Sequence, residues 1–265
     1  MPRAGWLVLL ALMVLTVSAT ACRKKGTGSA PPAAGDSTAS KPPPPVIDER
    51  AQAVINEMIS KWDQVQALSS KVATELPQAA GLEGMTKGDG VYDLLKRDGK
   101  LLVHFQLLNT MWFRKNDAEH LRAGEMLKFV HDGEALYFQL QQPQKMKKTT
   151  KSGYSSDRVL QIGGPDLFQG LTDKYNVTLA PEETVDGVAT YVLEATPTAG
   201  AWKARHYFDK QTGVRVRHVE FDADGKQTFL LALSELNLRP EFSEGHFTYR
   251  LPEGYELIDE TGKQP

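Results

Sequence analysis

The hydrophobic period of this chain changes near Leu68. From Ala51 to Val65 apolar residues recur every three or four positions: Ala51, Val54, Ile55, Met58, Ile59, Trp62 and Val65 form one stripe, with Asn56, Glu57, Lys61 and Gln64 opposite. That spacing predicts an amphipathic helix of about five turns. Asp48 stands before it as an N-cap, and Glu49 in the first turn suits the helix dipole. The helix must lie on something apolar, either as a lid over a ligand cavity or as a permanent layer on a sheet.

From Leu68 the period is two, the signature of strands. Val72, Thr74 and Leu76 alternate, and so do Leu101, Val103, Phe105 and Leu107, with His104 and Gln106 on the other face. The chain carries five Asp-Gly dipeptides. Asp98-Gly99 lies between runs 91–96 and 100–108, Asp132-Gly133 between 126–130 and 134–140, and Asp186-Gly187 between 175–179 and 188–193. Asp-Gly between alternating runs is a hairpin signal, so one antiparallel sheet is expected through the whole domain.

Residues 202–238 predict a three-stranded meander, divided by turns at Asp209–Gly213 and Asp222–Gly225. Phe229, Leu231 and Leu233 share one face, with Leu230 and Ala232 on the other. The apolar phase slips by one before Leu236 and Leu238, and again between Val214/Val216 and Val219/Phe221. Such a slip marks a bulge or a strand covered on both sides. Bulges bend sheets, so the sheet is expected to curve, with its apolar concave face covered. Between strands, Gly163-Gly164-Pro165 opens a short helix bearing Leu167, Phe168 and Leu171, read equally as a movable flap or a crossover helix. Closing strands are predicted at 247–251 and 255–259.

The N-terminus has a different grammar. Arg3, the apolar run Leu7–Val17 and the small residues Ser18–Ala21 predict a signal peptide over residues 1–21. The apolar run is too short for a membrane-spanning helix, which needs about 20 residues. Residues 22–47 form a Pro/Ala/Gly/Ser-rich linker ending in four prolines, and residues 48–265 form the domain. Cys22, the single cysteine, follows Ala19-Thr20-Ala21 and resembles the acylated cysteine of bacterial lipoproteins. Ala19 departs from the leucine usual there. A flexible tether of this length spans roughly 25–30 Å.

Composition narrows function by exclusion. A formal net charge of −2 with 24% charged residues gives no basic footprint for nucleic acid. The lone cysteine rules out an intrachain disulfide and a cysteine metal site. Six histidines include no HExxH, and only His206 and His218 are placed to pair across a hairpin. Asp222-Ala-Asp224-Gly225 lacks the later ligands of a calcium loop and reads as a turn. Gly-x-Ser-x-Gly and phosphate-binding loops are absent from the sequence. Met111-Trp112-Phe113 either rims a cavity or plugs the core. A non-catalytic protein without cofactor or metal is expected.

The segments His131-Asp-Gly-Glu-Ala-Leu-Tyr137, Tyr207-Phe-Asp-Lys-Gln-Thr-Gly213 and Phe247-Thr-Tyr-Arg-Leu-Pro-Glu-Gly-Tyr-Glu-Leu-Ile258, behind an N-terminal helix, resemble the LolA/LolB-like superfamily of outer-membrane lipoprotein carriers and receptors. The resemblance runs from about Asp48 to Asp259. It implies an α+β, mainly β fold: a curved antiparallel sheet, an incomplete β-barrel, covered by the N-terminal helix and the short helical insert. It also implies an apolar cavity for acyl chains. The residues expected to line it are Leu101, Val103, Phe105, Leu107, Phe229, Leu231 and Leu233 from the sheet. Val54, Met58, Trp62, Leu167, Phe168 and Leu171 would close it, although either parity of each strand is open. The expected partners are lipid acyl chains or a lipidated protein, and a membrane held through Cys22, with periplasm-facing, outer-membrane placement. The alternative is a sensor or scaffold of the same fold whose core is filled and whose surface binds a protein.

Overall fold

The computed structural model describes residues 43–77, 83–115, 118–140, 145–149 and 161–260. The leader, Cys22 and most of the linker lie outside the described residues. Helix α1 runs Glu49–Gln64, as the stripe predicts, in 16 residues. The Asp48 carboxylate accepts the backbone N–H groups of Arg50 at 2.7 Å and Ala51 at 3.2 Å, which satisfies two otherwise unpaired donors. At the other end the Lys96 ammonium donates to the Trp62 carbonyl at 2.6 Å and lies 4.5 Å from the centre of its ring. Burial lowers the pKa of this lysine, with Asp63 opposing.

The strands are β1 (Ala67–Pro77), β2 (Glu83–Arg97), β3 (Lys100–Lys115), β4 (Ala118–His131), β5 (Leu136–Leu140), β6 (Lys145–Thr149), β7 (Tyr175–Val185), β8 (Val188–Pro197), β9 (Lys203–Asp209), β10 (Arg215–Phe221), β11 (Gln227–Asn237) and β12 (Glu256–Asp259). Helix α2, Pro165–Thr172, stands before β7. The strands form one 12-stranded sheet in the order β12-β6-β5-β4-β3-β2-β1-β11-β10-β9-β8-β7. Every pair is antiparallel except β12 with β6. The order does not close on itself, so the sheet is a curved, incomplete barrel covered by two helices, as expected.

Two Asp-Gly pairs are two-residue hairpin turns with positive φ at both positions, Asp98-Gly99 and Asp186-Gly187. Asp132-Gly133 sits instead in a longer loop, because His131 pairs with Leu136. Asp89-Gly90 is no turn and lies inside β2. The slip before Leu236 is a bulge against β1, where Glu235 takes φ 52°. The slip after Val216 is a bulge against β9, between Arg215 and Arg217. The predicted strand 247–251 does not form. That segment turns back on itself, with the Thr248 N–H donating to the Gly245 carbonyl. Its aromatic residues pack onto the outer face of the sheet rather than joining an edge: Tyr249 stacks on Tyr137 with ring centres 5.2 Å apart. Burial there, with Tyr255 nearby, pushes the Tyr249 hydroxyl up to about 12.

The first half of edge strand β7 is covered. Val177 donates to the Val46 carbonyl and accepts from Asp48, so the chain entering α1 pairs with it. Pro181 and an irregularity between Ala180 and Glu183 interrupt the rest, a way of blunting a sheet edge.

Candidate functional site

Register fixes which side chains meet on the concave face. Tyr92 of β2 is opposite Phe105 of β3, which is opposite Phe129 of β4, and Val72 of β1 is opposite Leu233 of β11. Residues opposite one another share a face. Val103, Phe105, Leu107, Phe229, Leu231 and Leu233 therefore face the same side, which settles the open parity.

These side chains close on one another. Trp62, Val103, Phe105, Leu107, Leu231 and Leu233 are buried in one hydrophobic cluster, with Phe229 packed against it. Val54, Met58, Leu167, Phe168 and Leu171 are buried in a second, beneath the two helices. Phe168 meets Phe208 at 4.9 Å between ring centres. Leu101 is the exception: it lies at the hairpin end and is 39% exposed. The Gly163-Gly164 pair sits directly on the Trp62 indole, and a Cβ on Gly163 would come 2.4 Å from its ring. The glycines allow close approach to α1.

A cleft of about 250 Å³ remains between α2 and strands β7–β10. Leu167 and Leu171, with Ala195, Ala204 and Trp202, give it apolar walls, and Tyr175 meets Trp202 edge-on at 5.4 Å. Its floor is polar. His206 and His218 are direct partners across β9 and β10, as their hairpin position suggests, with ring centres 4.5 Å apart. A guanidinium nitrogen of Arg215 lies 3.4 Å from His206 Nδ1, and His218 Nε2 is 3.1 Å from Glu220. Arg215 is fully buried. The β10 bulge places it there: Arg215 pairs with Phe208, which shares a face with His206, and its backbone N–H holds the Ile162 carbonyl at 2.6 Å. Apolar walls over a guanidinium, two imidazoles and a carboxylate suit a small amphiphile with a polar end.

Arg215 and Glu220 escaped the sequence reading, which treated 214–221 only as an alternating strand. The slip at Val216 was the available signal, since a bulge re-aims the residue beside it.

Met111-Trp112-Phe113 is half-buried and lies outside this cleft: Met111 and Phe113 share the face of Phe105, and Phe113 stacks on His120 with ring centres 5.1 Å apart. Trp112 lies opposite Met85 and Leu121, and Leu108 opposite Met126, on the outer face of the long strands β2, β3 and β4. Val91 is diagonal to Leu108 on the same face. Leu108 is 49% exposed and Leu121 74%. Among the described residues, no helix is long and apolar enough to cross a membrane.

No protein-family model and no curated protein matches the chain. Solved structures do. A crystal structure of MucB matches at 16% identity and a TM-score of 0.47, covering 77% of this chain and 64% of that one, so the chain spans just under two thirds of that protein's length. A putative outer membrane lipoprotein-sorting protein domain from Vibrio parahaemolyticus matches at 15% identity and a TM-score of 0.35, covering 76% and 97%. A LolA superfamily protein from Nitrosomonas europaea matches at 13% identity and a TM-score of 0.27, covering 74% and 97%.

Proposed function

We propose that this chain is a non-catalytic envelope module, tethered through a lipidated Cys22 and the 22–47 linker and facing the periplasm from the outer membrane. Its domain binds a protein partner through its surface while the concave face serves as core. One observation carries this reading. The side chains expected to line an acyl cavity fill each other's space, while apolar residues stand uncovered on the outer face of β2–β4. Exposed apolar side chains that adjoin in this way mark interaction surfaces in soluble domains. Val91, Leu108, Trp112, Leu121 and Met126 form that surface.

A second reading, capture of an acyl chain or a lipidated protein, is supported by the α2 cleft. At about 250 Å³ it is just under the range of about 300–1,000 Å³ typical of small-molecule pockets, so it suits one chain end rather than several.

The two readings separate by native mass spectrometry of the protein extracted from its own membranes. A co-purifying polypeptide that is lost in Leu108→Asp/Leu121→Asp supports the first. Saturable uptake of a fluorescent fatty acid, lost in Leu171→Trp at unchanged thermal stability, would replace it with the second. The tether is tested by Cys22→Ser, which is expected to release the domain from the membrane fraction. Unchanged fractionation would remove the lipid anchor from the reading.

A further inference from the structure

On the outer face of the sheet, away from the α2 cleft, three ligand-type side chains converge. Asp93 of β2 and His104 of β3 are direct cross-strand partners. His246 comes from the turn after β11. His104 Nδ1 is 3.3 Å and His246 Nε2 is 2.8 Å from the same oxygen, Oδ2 of Asp93. The three ligand atoms all lie within 4.8 Å of one another, and Asp93 and His104 are buried.

The surroundings hold these groups in place. The Ser69 hydroxyl donates to the other Asp93 oxygen at 2.6 Å. Phe242 stacks on His246 with ring centres 4.9 Å apart, and Phe247 meets it edge-on at 4.9 Å. Burial opposes the charge on Asp93, but hydrogen bonds from His104, Ser69 and His246 outweigh it and hold the carboxyl below its ordinary range.

We propose that Asp93, His104 and His246 bind one divalent transition-metal ion of the zinc class. Two imidazoles and a carboxylate favour such ions over calcium or magnesium, which take oxygen ligands. A tetrahedral ion about 2.0–2.1 Å from each ligand spaces the ligands by about 3.3 Å; His104 already stands at 3.3 Å from the Asp93 oxygen, and His246, at 2.8 Å, would move outward by about 0.5 Å. Three protein ligands leave a fourth position for water or a partner's side chain. The ion would fasten the aromatic turn at 242–247 to the sheet, joining segments far apart in sequence. Ser69 would act as a positioning residue for the carboxylate.

The test is a titration of the purified full chain with Zn²⁺ against a chromophoric chelator, with Ca²⁺ as control. One equivalent of zinc is expected, bound at least tenfold more weakly in both His104→Gln and His246→Gln, with no calcium bound. His246 is partly exposed, so His246→Gln is expected to fold, and its melting in chelator should lie only slightly below the parent's. X-ray absorption of the zinc-loaded parent should show two imidazole ligands. Zinc binding should also slow proteolysis within 240–250 in the parent only. Absence of stoichiometric zinc, parental affinity in both variants, or a spectrum without imidazole overturns the site and leaves the cluster as hydrogen bonds alone.

Discussion

The indole of Trp62 rests on Gly163. A Cβ at that glycine would lie 2.4 Å from Trp62 Cε3, and one at Gly164, where φ is 90°, would lie 2.6 Å from the indole nitrogen. Helix α1 and the entry to α2 thus pack directly on one another, and α2 is expected to behave as a fixed cover. Gly164→Ala meets both the contact and the left-handed backbone, whose strain alone costs about 1–3 kcal/mol. It is expected to lower the melting temperature by several degrees. Hydrogen exchange gives an independent reading: amides of Phe168 and Leu171 should be protected like those of Ile55 and Met58. Rapid exchange confined to α2 would restore the flap.

Phe168 tests whether the concave face is filled. Its side chain is 1% exposed and meets Phe208. Truncating a buried Phe to Ala costs about 3–5 kcal/mol, the lost transfer energy plus the cavity. Phe168→Ala should shift the urea midpoint accordingly, and Phe168→Glu, which buries a charge, should prevent folding. If Phe168→Glu melts like the parent and only loses binding of an acyl-chain probe, the face is a cavity and the second reading of function prevails.

How far the sequence foretold this depended on whether a signal was local. The helix stripe, its Asp48 cap, the meander and both bulges follow from spacing, because period and phase are properties of neighbouring residues. Strand β6, Lys-Met-Lys-Lys-Thr, has no alternation to read and is defined by its partners β5 and β12. Phe247–Leu251 alternates like a strand, yet its aromatic residues face a sheet surface that only the fold creates. The residues proposed for a cavity share one face and are buried there, apart from Leu101: a period-2 pattern gives direction, not the distance between facing side chains. The Asp93–His104–His246 cluster was invisible for the same reason, since its members lie 11 and 153 positions from Asp93 along the chain.

Asp48 holds two things at once. Its carboxylate caps α1, and its own N–H donates to the Val177 carbonyl on edge strand β7 at 2.9 Å. Asp48→Ala removes only the first, at a cost of about 1 kcal/mol. Asp48→Pro removes the N–H as well and should cost more, with faster exchange of β7 amides. Equal stabilities for the two variants would mean that the Val177 contact contributes nothing.

Asp132 sets the acid limit of the β4–β5 loop. Its Oδ1 accepts the N–H groups of Glu134 at 3.0 Å and Ala135 at 2.9 Å. Burial alone would raise its pKa. The hydrogen bonds from Ala135, Glu134 and Tyr137, with the nearby His131, more than offset this and hold the carboxyl below its usual value. The unfolded chain therefore takes up this proton more readily than the folded one. The stability from this group is fully present above the unfolded value of about 3.9 and is lost as pH falls through the lower folded value. Asp132→Asn keeps an oxygen acceptor for both N–H groups and removes only the charge. Urea midpoints at pH 7, 4 and 3 should show the parent losing more stability than Asp132→Asn between pH 4 and 3, with the curves converging at the acid end. Parallel curves through that interval would mean that the loop is held by its backbone geometry and that the charge on Asp132 adds nothing.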